Sequence, residues 1–484
     1  MSLFIKKPLE SLMAQAADSD KGLKRSLGPV NLIALGIGAI IGAGLFVRTA
    51  AAAGDSAGPA VVISFIIAAL GCAFAGLCYA EFASMIPVAG SAYTYAYATM
   101  GEFIAWIIGW ALVLEYALAS ATVSIAWSEY LNKLLESFEL GSIPYQWTHS
   151  PLETSADGVT GIMNLPAFFI VAALSLVLIK GTKESALVNA IIVVVKVTIV
   201  LIFIALGWSF INPANYTPFM IPEGTPGHEG FFEHGWGGVL NGAGVVFFAF
   251  IGFDAVSTAA QESSNPKRDM PIGILGSLIV CTILYILFSR VLTGVANYQD
   301  FQVAGKEASV AFAIEKYMTG YGWLAKLITL AILAGFSSVI LVMLLGQSRV
   351  FYSMSKDGLI PGVFSELHEK FRTPYKSNII LLFFVGAFAA FIPGSIAGDL
   401  TSIGTLFAFV LVCVGVWVMR VKNPGVSRPF KTPLVPFVPI MGILVCSAMI
   451  ISLDQATQLS ALVWMIIGLF VYFGYSKSHS KLRQ

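Results

Sequence analysis

Long apolar runs dominate this chain and limit its fold more than any other feature. Runs of about 20 apolar residues, the length at which a helix crosses a bilayer, recur along the sequence. We place twelve of them, at 30–53, 59–84, 101–130, 164–180, 186–211, 236–261, 271–295, 323–352, 376–394, 399–421, 434–453 and 457–476. Hydrophobic residues make up 57% of the chain and charged residues 11%, against about 25% charged residues in soluble proteins. The sequence predicts an all-α polytopic membrane protein with twelve transmembrane helices.

The distribution of Lys and Arg predicts the orientation of these helices. With both termini cytoplasmic, 21 of the 28 Lys and Arg residues fall on the inner side and 6 on the outer side, and Lys196 lies within a span. This asymmetry follows the positive-inside rule. We therefore expect a multi-pass protein of the plasma (cytoplasmic) membrane. Residues 1–28 form a cytoplasmic tail, either an interfacial helix or a disordered segment, and residues 477–484 form a second cytoplasmic tail.

The composition disfavours several classes of function. No basic patch suggests nucleic acid, and the five cysteines lie in apolar segments without metal-ligand spacing. No His or Cys lies beside a plausible nucleophile, so we expect no enzyme activity, no organic cofactor and no metal. Glu81 and Glu262 are interpreted as ordinary interfacial charges, with inner-gate contacts to Arg349 or Lys267 as the alternative. The loops between spans are short, which places the chemistry inside the membrane, with the lipid bilayer and a small molecule as partners.

Two spans carry glycines where a helix would break. The first contains Gly36, Gly38, Gly42 and Gly44 within nine residues, and the sixth has Gly252 at its middle, followed by Asp254. Glycine at this density weakens a helix. Close packing of small residues between helices is the competing explanation for the first span alone.

The five-span separation of these two glycine-bearing spans favours the break. Two broken helices five spans apart indicate two five-helix repeats of inverted topology, broken near the bilayer midplane. We assign residues 29–211 to the first repeat, 236–421 to the second, inverted repeat, and 434–476 to helices 11 and 12. One chain then holds a complete site and is expected to function as a monomer.

A broken helix exposes backbone groups that suit an α-amino acid. Free N–H groups near 42–45 favour a carboxylate, and carbonyls near 250–253 accept hydrogen bonds from an ammonium. The predicted substrate-binding residues are Ile40, Ile41, Gly42, Ala43, Gly44, Phe250, Ile251, Phe253 and Ile340. Phe250 and Phe253 either cover the substrate as gates or only pack in the core.

Four motifs in this chain resemble a known family. They are GIGAIIGAGLF (36–46), FFAFIGFDAVSTAAQESSNPKRDMPIGI (247–274), SRVFYSMSKDGLIP (348–361) and DLTSIGTLFAFVLV (399–412). Over residues 24–475 the chain is similar to the amino acid–polyamine–organocation transporters, and within them to bacterial members of the cationic amino acid transporter branch. The resemblance implies a LeuT-like fold and amino acid transport by alternating access. Animal members of this branch have fourteen helices, so the preference for cationic substrates does not carry over safely.

Lys196 lies at the centre of an apolar span, with eleven residues before it and twelve after it in the run 185–208. Its stem reaches roughly 6 Å, too short to bring the ammonium to either interface of a core about 30 Å thick. The resemblance places it beside the sodium site of related proteins, between the first break and the hydroxyls of Ser337 and Ser338. We expect its ammonium to act as a tethered cation on the carbonyls near 38–41. Burial favours the neutral form of a lysine, so Lys196 is either a proton-coupling residue or a permanently charged structural cation.

Two buried acids compete for the coupling proton. Glu115 lies in the third span and Asp254 follows the second break. Together with Lys196 they fit one hydrogen-bonded relay that titrates as a unit. Glu115 also fits a structural polar network, and Asp254 also fits a cap on the second half of its helix.

The side chains expected around the substrate indicate its chemical class. They are apolar, so small neutral amino acids such as alanine, serine or valine fit better than a cationic side chain, which would need a partner charge. The sequence thus predicts a proton-coupled symporter that imports small neutral L-amino acids. A cationic amino acid transporter and an exchanger are the alternatives, and a channel is the alternative outside the carriers.

Overall fold

The described part of the chain is helical. The computed structural model describes residues 3–8, 11–12, 27–42, 44–88, 90–180, 185–260, 263–303, 309–371 and 373–483. The predicted all-α class is confirmed for these residues, whose extended backbone pairs only in two isolated bridges. The interfacial helix considered for the N-terminal tail falls largely outside the described residues, and Glu262 lies outside them.

The α-helices are numbered here in chain order over the described residues. They are α1 (Pro29–Ile40), α2 (Thr49–Ala52), α3 (Val61–Met85), α4 (Ser91–Thr99), α5 (Glu102–Val113), α6 (Ala119–Ser137), α7 (Leu165–Lys180), α8 (Ser185–Gly207), α9 (Gly235–Val246), α10 (Ala255–Thr258), α11 (Pro266–Val295), α12 (Asp300–Val303), α13 (Ser309–Tyr317), α14 (Gly322–Lys356), α15 (Tyr375–Phe391), α16 (Gly394–Lys422), α17 (Phe437–Ser452), α18 (Gln455–Val471) and α19 (Lys477–His479). Short π-helical turns at Gly44–Arg48 and Leu114–Leu118 and a 3-10 turn at Phe247–Phe250 join some of them.

Every predicted span overlaps one or more of these helices. Eight helical segments of the described chain are long and apolar enough to cross a membrane, and four apolar helices are shorter: α1, α7, α15 and α17. In α1 the shortness has a clear cause, because the first span is divided by its break. The count of twelve crossings and the inverted repeat stay predictions.

Both predicted breaks are present as interruptions of the helix. In the first span α1 ends at Ile40, and the chain bends at Ile41 and Gly42 before helical structure resumes at Gly44. In the sixth span the Phe247–Phe250 turn is followed by four turn residues before α10 begins. Gly252 has φ +114°, a conformation that side-chain-bearing residues rarely adopt.

The two interruptions lie against each other. A Cβ atom on Gly44 would stand 2.2 Å from Cα of Ala249, and one on Gly252 would stand 3.0 Å from the carbonyl carbon of Ala39. Glycine therefore serves both purposes considered from the sequence, since glycines lie at both interruptions and let two backbones touch. Helices α8, α11 and α14 pack around α1, and their side chains complete the site.

Candidate functional site

Lys196 is anchored on the first interruption. This residue of α8 has 1% of its surface exposed, and its Nζ donates to the carbonyl oxygens of Gly38 at 2.8 Å and Ile41 at 2.9 Å. The last carbonyls of a helix have no partner within the helix and carry the negative end of its dipole. An ammonium satisfies both needs, and it lies on the carbonyls expected from the sequence.

The stem of Lys196 passes across a glycine of α14. A Cβ on Gly335 would lie 2.9 Å from Cε and 3.1 Å from Cγ of the lysine. Gly335 was not among the predicted site residues, because a glycine inside an apolar helix does not reveal what packs on it. The two predicted sodium-site serines come shortly after Gly335 on α14. Ser337 donates to the carbonyl of Leu333 at 2.9 Å within its own helix, and Ser338 is buried.

Tyr285 of α11 connects the two interruptions. Its hydroxyl lies 3.1 Å from the carbonyl oxygen of Ile40 and 2.8 Å from that of Ala249. One buried hydroxyl thus reaches the end of α1 and the turn that precedes the second break. Tyr285 was not among the predicted site residues, although it is the one tyrosine in the apolar run 271–295.

A small apolar cavity lies between the interruptions and α14. Its volume is about 10 Å³, room for about one water molecule, so an amino acid fits only after the surrounding helices move. Four of the predicted binding residues line it: Ile40, Gly42, Gly44 and Ile251. The other lining residues were not predicted: Ala39, Ala119, Val123, Phe248, Val339 and Met343.

The other predicted binding residues that the structure describes are buried but do not line this cavity. Phe250 packs on Phe65 and Tyr285, with ring centroids 6.2 and 5.1 Å away. Phe253 packs on the rings of Tyr79 and Phe409. Ile340 is fully buried on α14, Ile41 contributes its carbonyl to Lys196, and Ala43 lies outside the described residues.

The two predicted acids form a buried pair. Glu115 and Asp254 are both fully buried, their carboxyl groups are neighbours, and Tyr116 donates its hydroxyl to Oδ2 of Asp254. Asp254 occupies the N-cap position of α10, as considered from the sequence, but its side chain makes no capping hydrogen bond there. The structure therefore brings Glu115 and Asp254 together, whereas the hydrogen bonds of Lys196 go to backbone carbonyls.

A polar side chain continues the cavity-lining face of α14. Gly335, Val339, Met343 and Gln347 follow one another at four-residue spacing and so share one face of the helix. Gln347 is fully buried, and neither atom of its amide has a hydrogen-bond partner among the described residues. A buried amide without partners is costly. Gln347 was not among the predicted site residues, because it carries no charge.

Comparison with known proteins identifies the family. The family model described as "Amino acid permease" matches residues 27–473. The branched-chain amino acid permease BcaP of Bacillus subtilis is 46% identical over 487 residues, which cover 100% of this chain and 99% of that protein. The methylthioribose transporter of the same organism is 41% identical over the full length of both chains. The vacuolar cationic amino acid transporter 4 of Arabidopsis thaliana is 34% identical over 87% of this chain and 68% of its own length. The resemblance stated from the motifs is confirmed: the chain belongs to the amino acid permease family of the amino acid–polyamine–organocation superfamily, whose members are multi-pass membrane transporters.

Proposed function

We propose that this chain is a proton-coupled symporter that imports neutral L-amino acids by alternating access. The observation that carries the proposal is the ammonium of Lys196 on the carbonyls of Gly38 and Ile41. The proton is the coupling ion, so no organic cofactor or metal is needed. The proposed location is the plasma membrane, with both termini cytoplasmic and the monomer as the working unit.

The protonation state of Lys196 would control the first interruption. Hydrogen bonds from a charged donor are roughly twice as strong as neutral ones, and the lysine crosses from α8 to the end of α1 beside α14. The charged form therefore holds α1 against these two helices. Loss of the proton weakens that attachment and frees α1 to move, which couples proton release to a change of access.

The cavity supports a neutral substrate. Side chains such as Val123, Val339 and Met343 line it, and none of its lining residues in the described part of the chain is charged. A cationic side chain would enter this lining without a partner charge. The branched-chain permease among the relatives extends the proposed substrates from alanine, serine and valine to leucine and isoleucine.

A second substrate class is favoured by a specific comparison. The methylthioribose transporter matches this chain over its full length, and an apolar cavity also suits an uncharged thioether. Cationic amino acids, named for the plant relatives, remain the alternative amino acid class. An exchanger has the same site and differs only in needing substrate on the far side.

Uptake into sodium-free proteoliposomes tests the proposal. Radiolabelled alanine, leucine, arginine and methylthioribose are compared with and without an inward proton gradient, for the wild type, Lys196→Ala and Lys196→Met. We expect gradient-driven accumulation of leucine and alanine in the wild type. Both variants should lose accumulation, because neither side chain carries a proton. Lys326→Met is the matched control, since Lys326 is exposed on α14.

The other outcomes point to definite alternatives. Accumulation that survives in Lys196→Met excludes this lysine as the coupling site, and the same assay on Glu115→Gln and Asp254→Asn then tests the acid pair. Uptake that requires internal amino acid identifies an exchanger. Uptake of methylthioribose or arginine without leucine or alanine refutes the proposed substrate class, and flux that does not saturate identifies a channel.

A further inference from the structure

A basic cavity lies at the end of α16, far along the chain from the transport site. Residues 419–437 contain Arg420, Lys422, Arg428 and Lys431 and no Asp or Glu. The cavity in this loop has a volume of about 550 Å³. Its lining residues are Arg420, Pro424, Gly425, Val426, Ser427, Arg428, Lys431 and Val435.

A buried carboxylate organises the base of this cavity. Glu81 of α3 is 1% exposed, so it is not the ordinary interfacial charge expected from the sequence. Its carboxylate accepts from Nε of Arg420 at 2.9 Å and Nη2 at 2.8 Å, and from the backbone N–H of Thr432 at 2.8 Å. Nε of Arg428 lies 3.1 Å from the same carboxylate. The two arginines are thus fixed before any ligand arrives.

The loop itself is held by Arg428. Its guanidinium donates to the carbonyls of Val426 and Asn423, each at 2.7 Å, and to those of Pro424 and Met419, each at 3.2 Å. These contacts fix the backbone around the cavity. Arg428 is therefore a structural residue, and the groups left to meet a ligand are Nη1 of Arg420, whose other nitrogens donate to Glu81, and Lys431.

Positive charge exceeds negative charge here by two. Glu81 of α3 neutralises one of the two arginines, Lys431 adds a third cation, and residues 419–437 contain no acid. Lys422 adds a further cation to the same segment, and burial and then its charge lower the pKa of Lys6 from its usual value. A preorganised cationic cavity of this kind attracts an anion with several acceptor oxygens.

Lipid-facing side chains flank the cavity. Val421, Leu434 and Phe437 have 69%, 74% and 55% of their surface exposed, and Trp417 is 39% exposed. In a membrane protein such side chains face acyl chains, and tryptophan favours the headgroup level. We therefore expect the cavity to open at the level of the phospholipid headgroups, at the end of the molecule predicted to be cytoplasmic.

We propose that the cavity between α16 and α17 binds a phosphate ester, with Arg420 and Lys431 contacting the phosphate and the headgroup of an anionic phospholipid as its source. The flanking apolar residues favour a lipid over a soluble phosphate. A lipid bound there would tie α3, α16 and α17 together at the membrane surface.

Lipid binding by the full-length, detergent-solubilised protein tests this site. Native mass spectrometry compares phosphatidylglycerol with phosphatidylcholine for the wild type, Lys431→Glu and Ser427→Glu. Ser427→Glu adds a negative charge to the exposed rim and leaves every cation in place. We expect a preference for phosphatidylglycerol, lowered by at least about tenfold in Lys431→Glu and by about fivefold in Ser427→Glu, given the usual attraction per charge. Lys370→Glu, an exposed lysine in another loop, is the control that keeps wild-type preference.

Separate arms distinguish the source of the phosphate. Inorganic phosphate at millimolar concentration is added to the same samples. Retention of phosphatidylglycerol in the presence of phosphate supports a lipid as the source. If phosphate displaces the lipid from the wild type, and Lys431→Glu shows no such displacement, the site binds phosphate but its source is soluble. Equal binding of the two lipids without any effect of phosphate overturns the proposal, as does an equal loss in Lys370→Glu and Lys431→Glu.

Discussion

At the scale of single residues, Gly335 sets how closely α14 approaches Lys196. We expect Gly335→Ala to push the lysine stem away from the carbonyls of Gly38 and Ile41, because the new Cβ would stand 2.9 Å from Cε. Overpacking of this kind costs about 1–3 kcal/mol, so proton-driven uptake should fall by about tenfold. Proteoliposome uptake measures the change. Gly322→Ala at the start of the same helix, where a Cβ meets nothing within 4 Å, should keep wild-type uptake, and equal rates in both variants would contradict the prediction.

The sequence predicts charged residues at this scale better than uncharged ones. A lysine in the middle of an apolar span requires acceptors, so its need for backbone carbonyls follows from the cost of burial. Gly335, Tyr285 and Gln347 carry no charge, and their importance depends on which atoms of other helices face them. That information lies in the packing and not in the local sequence.

At the scale of secondary-structure elements, the glycines predict where the chain breaks but not how it turns. Gly252 at φ +114° lies in the turn between the two halves of its helix, and the matching places of the two glycine-bearing spans, five spans apart, made the pattern recognisable. The π-helical turn at Leu114–Leu118, which carries Glu115 and Tyr116, has no comparable signature. The local sequence allows regular helix and π turn alike, so packing decides between them.

The segment after α6 contains a pH-dependent contact. Nε2 of His149 lies 3.2 Å from Oε1 of Glu129. Burial lowers the pKa of His149, but the hydrogen bond and charge of Glu129 outweigh burial and raise the pKa above its usual value. A raised pKa in the folded protein means that the contact stabilises the fold below the pKa of the unfolded chain, about 6.5. The stabilisation disappears as pH rises through the pKa of the folded protein.

Melting temperatures of the purified protein measure this contribution. The wild type should melt above His149→Gln at pH 5.5 to 6, by an amount that corresponds to less than about 1 kcal/mol because the pair is partly exposed. The difference should vanish in alkaline buffer. In a Glu129→Gln background the His149→Gln change should have little effect at either pH. A difference that grows with pH would contradict the sign of the effect.

At the scale of the whole molecule, the two ends of the chain meet on one surface. Lys7 pairs with Asp357 at 2.8 Å, and the backbone N–H of Lys481 donates to the carbonyl of Asp357 at 3.0 Å. Next to them, Nε of Arg483 donates to Oε1 of Glu102 at 2.6 Å. The sequence predicted two polar tails beyond the spans, and periodicity gave no sign that either one docks. Pairing between residues hundreds of positions apart becomes visible only in the folded chain.

The C-terminal tail should therefore contribute to stability through Glu102. This carboxylate is fully buried, and besides Arg483 it accepts hydrogen bonds from the hydroxyls of Tyr97 and Tyr472, each at 3.0 Å. Those hydroxyls supply no charge, so Arg483→Gln leaves a buried anion without its cation. Removing one partner of a buried ion pair costs about 3–5 kcal/mol, and the variant should melt well below the wild type in detergent. Adding Glu102→Gln to Arg483→Gln removes the uncompensated charge and should recover most of the loss, whereas Lys477→Gln on the exposed side of the tail should change little. If Arg483→Gln melts at the same temperature as Lys477→Gln, the contact of the tail with Glu102 does not stabilise the packing of the helices.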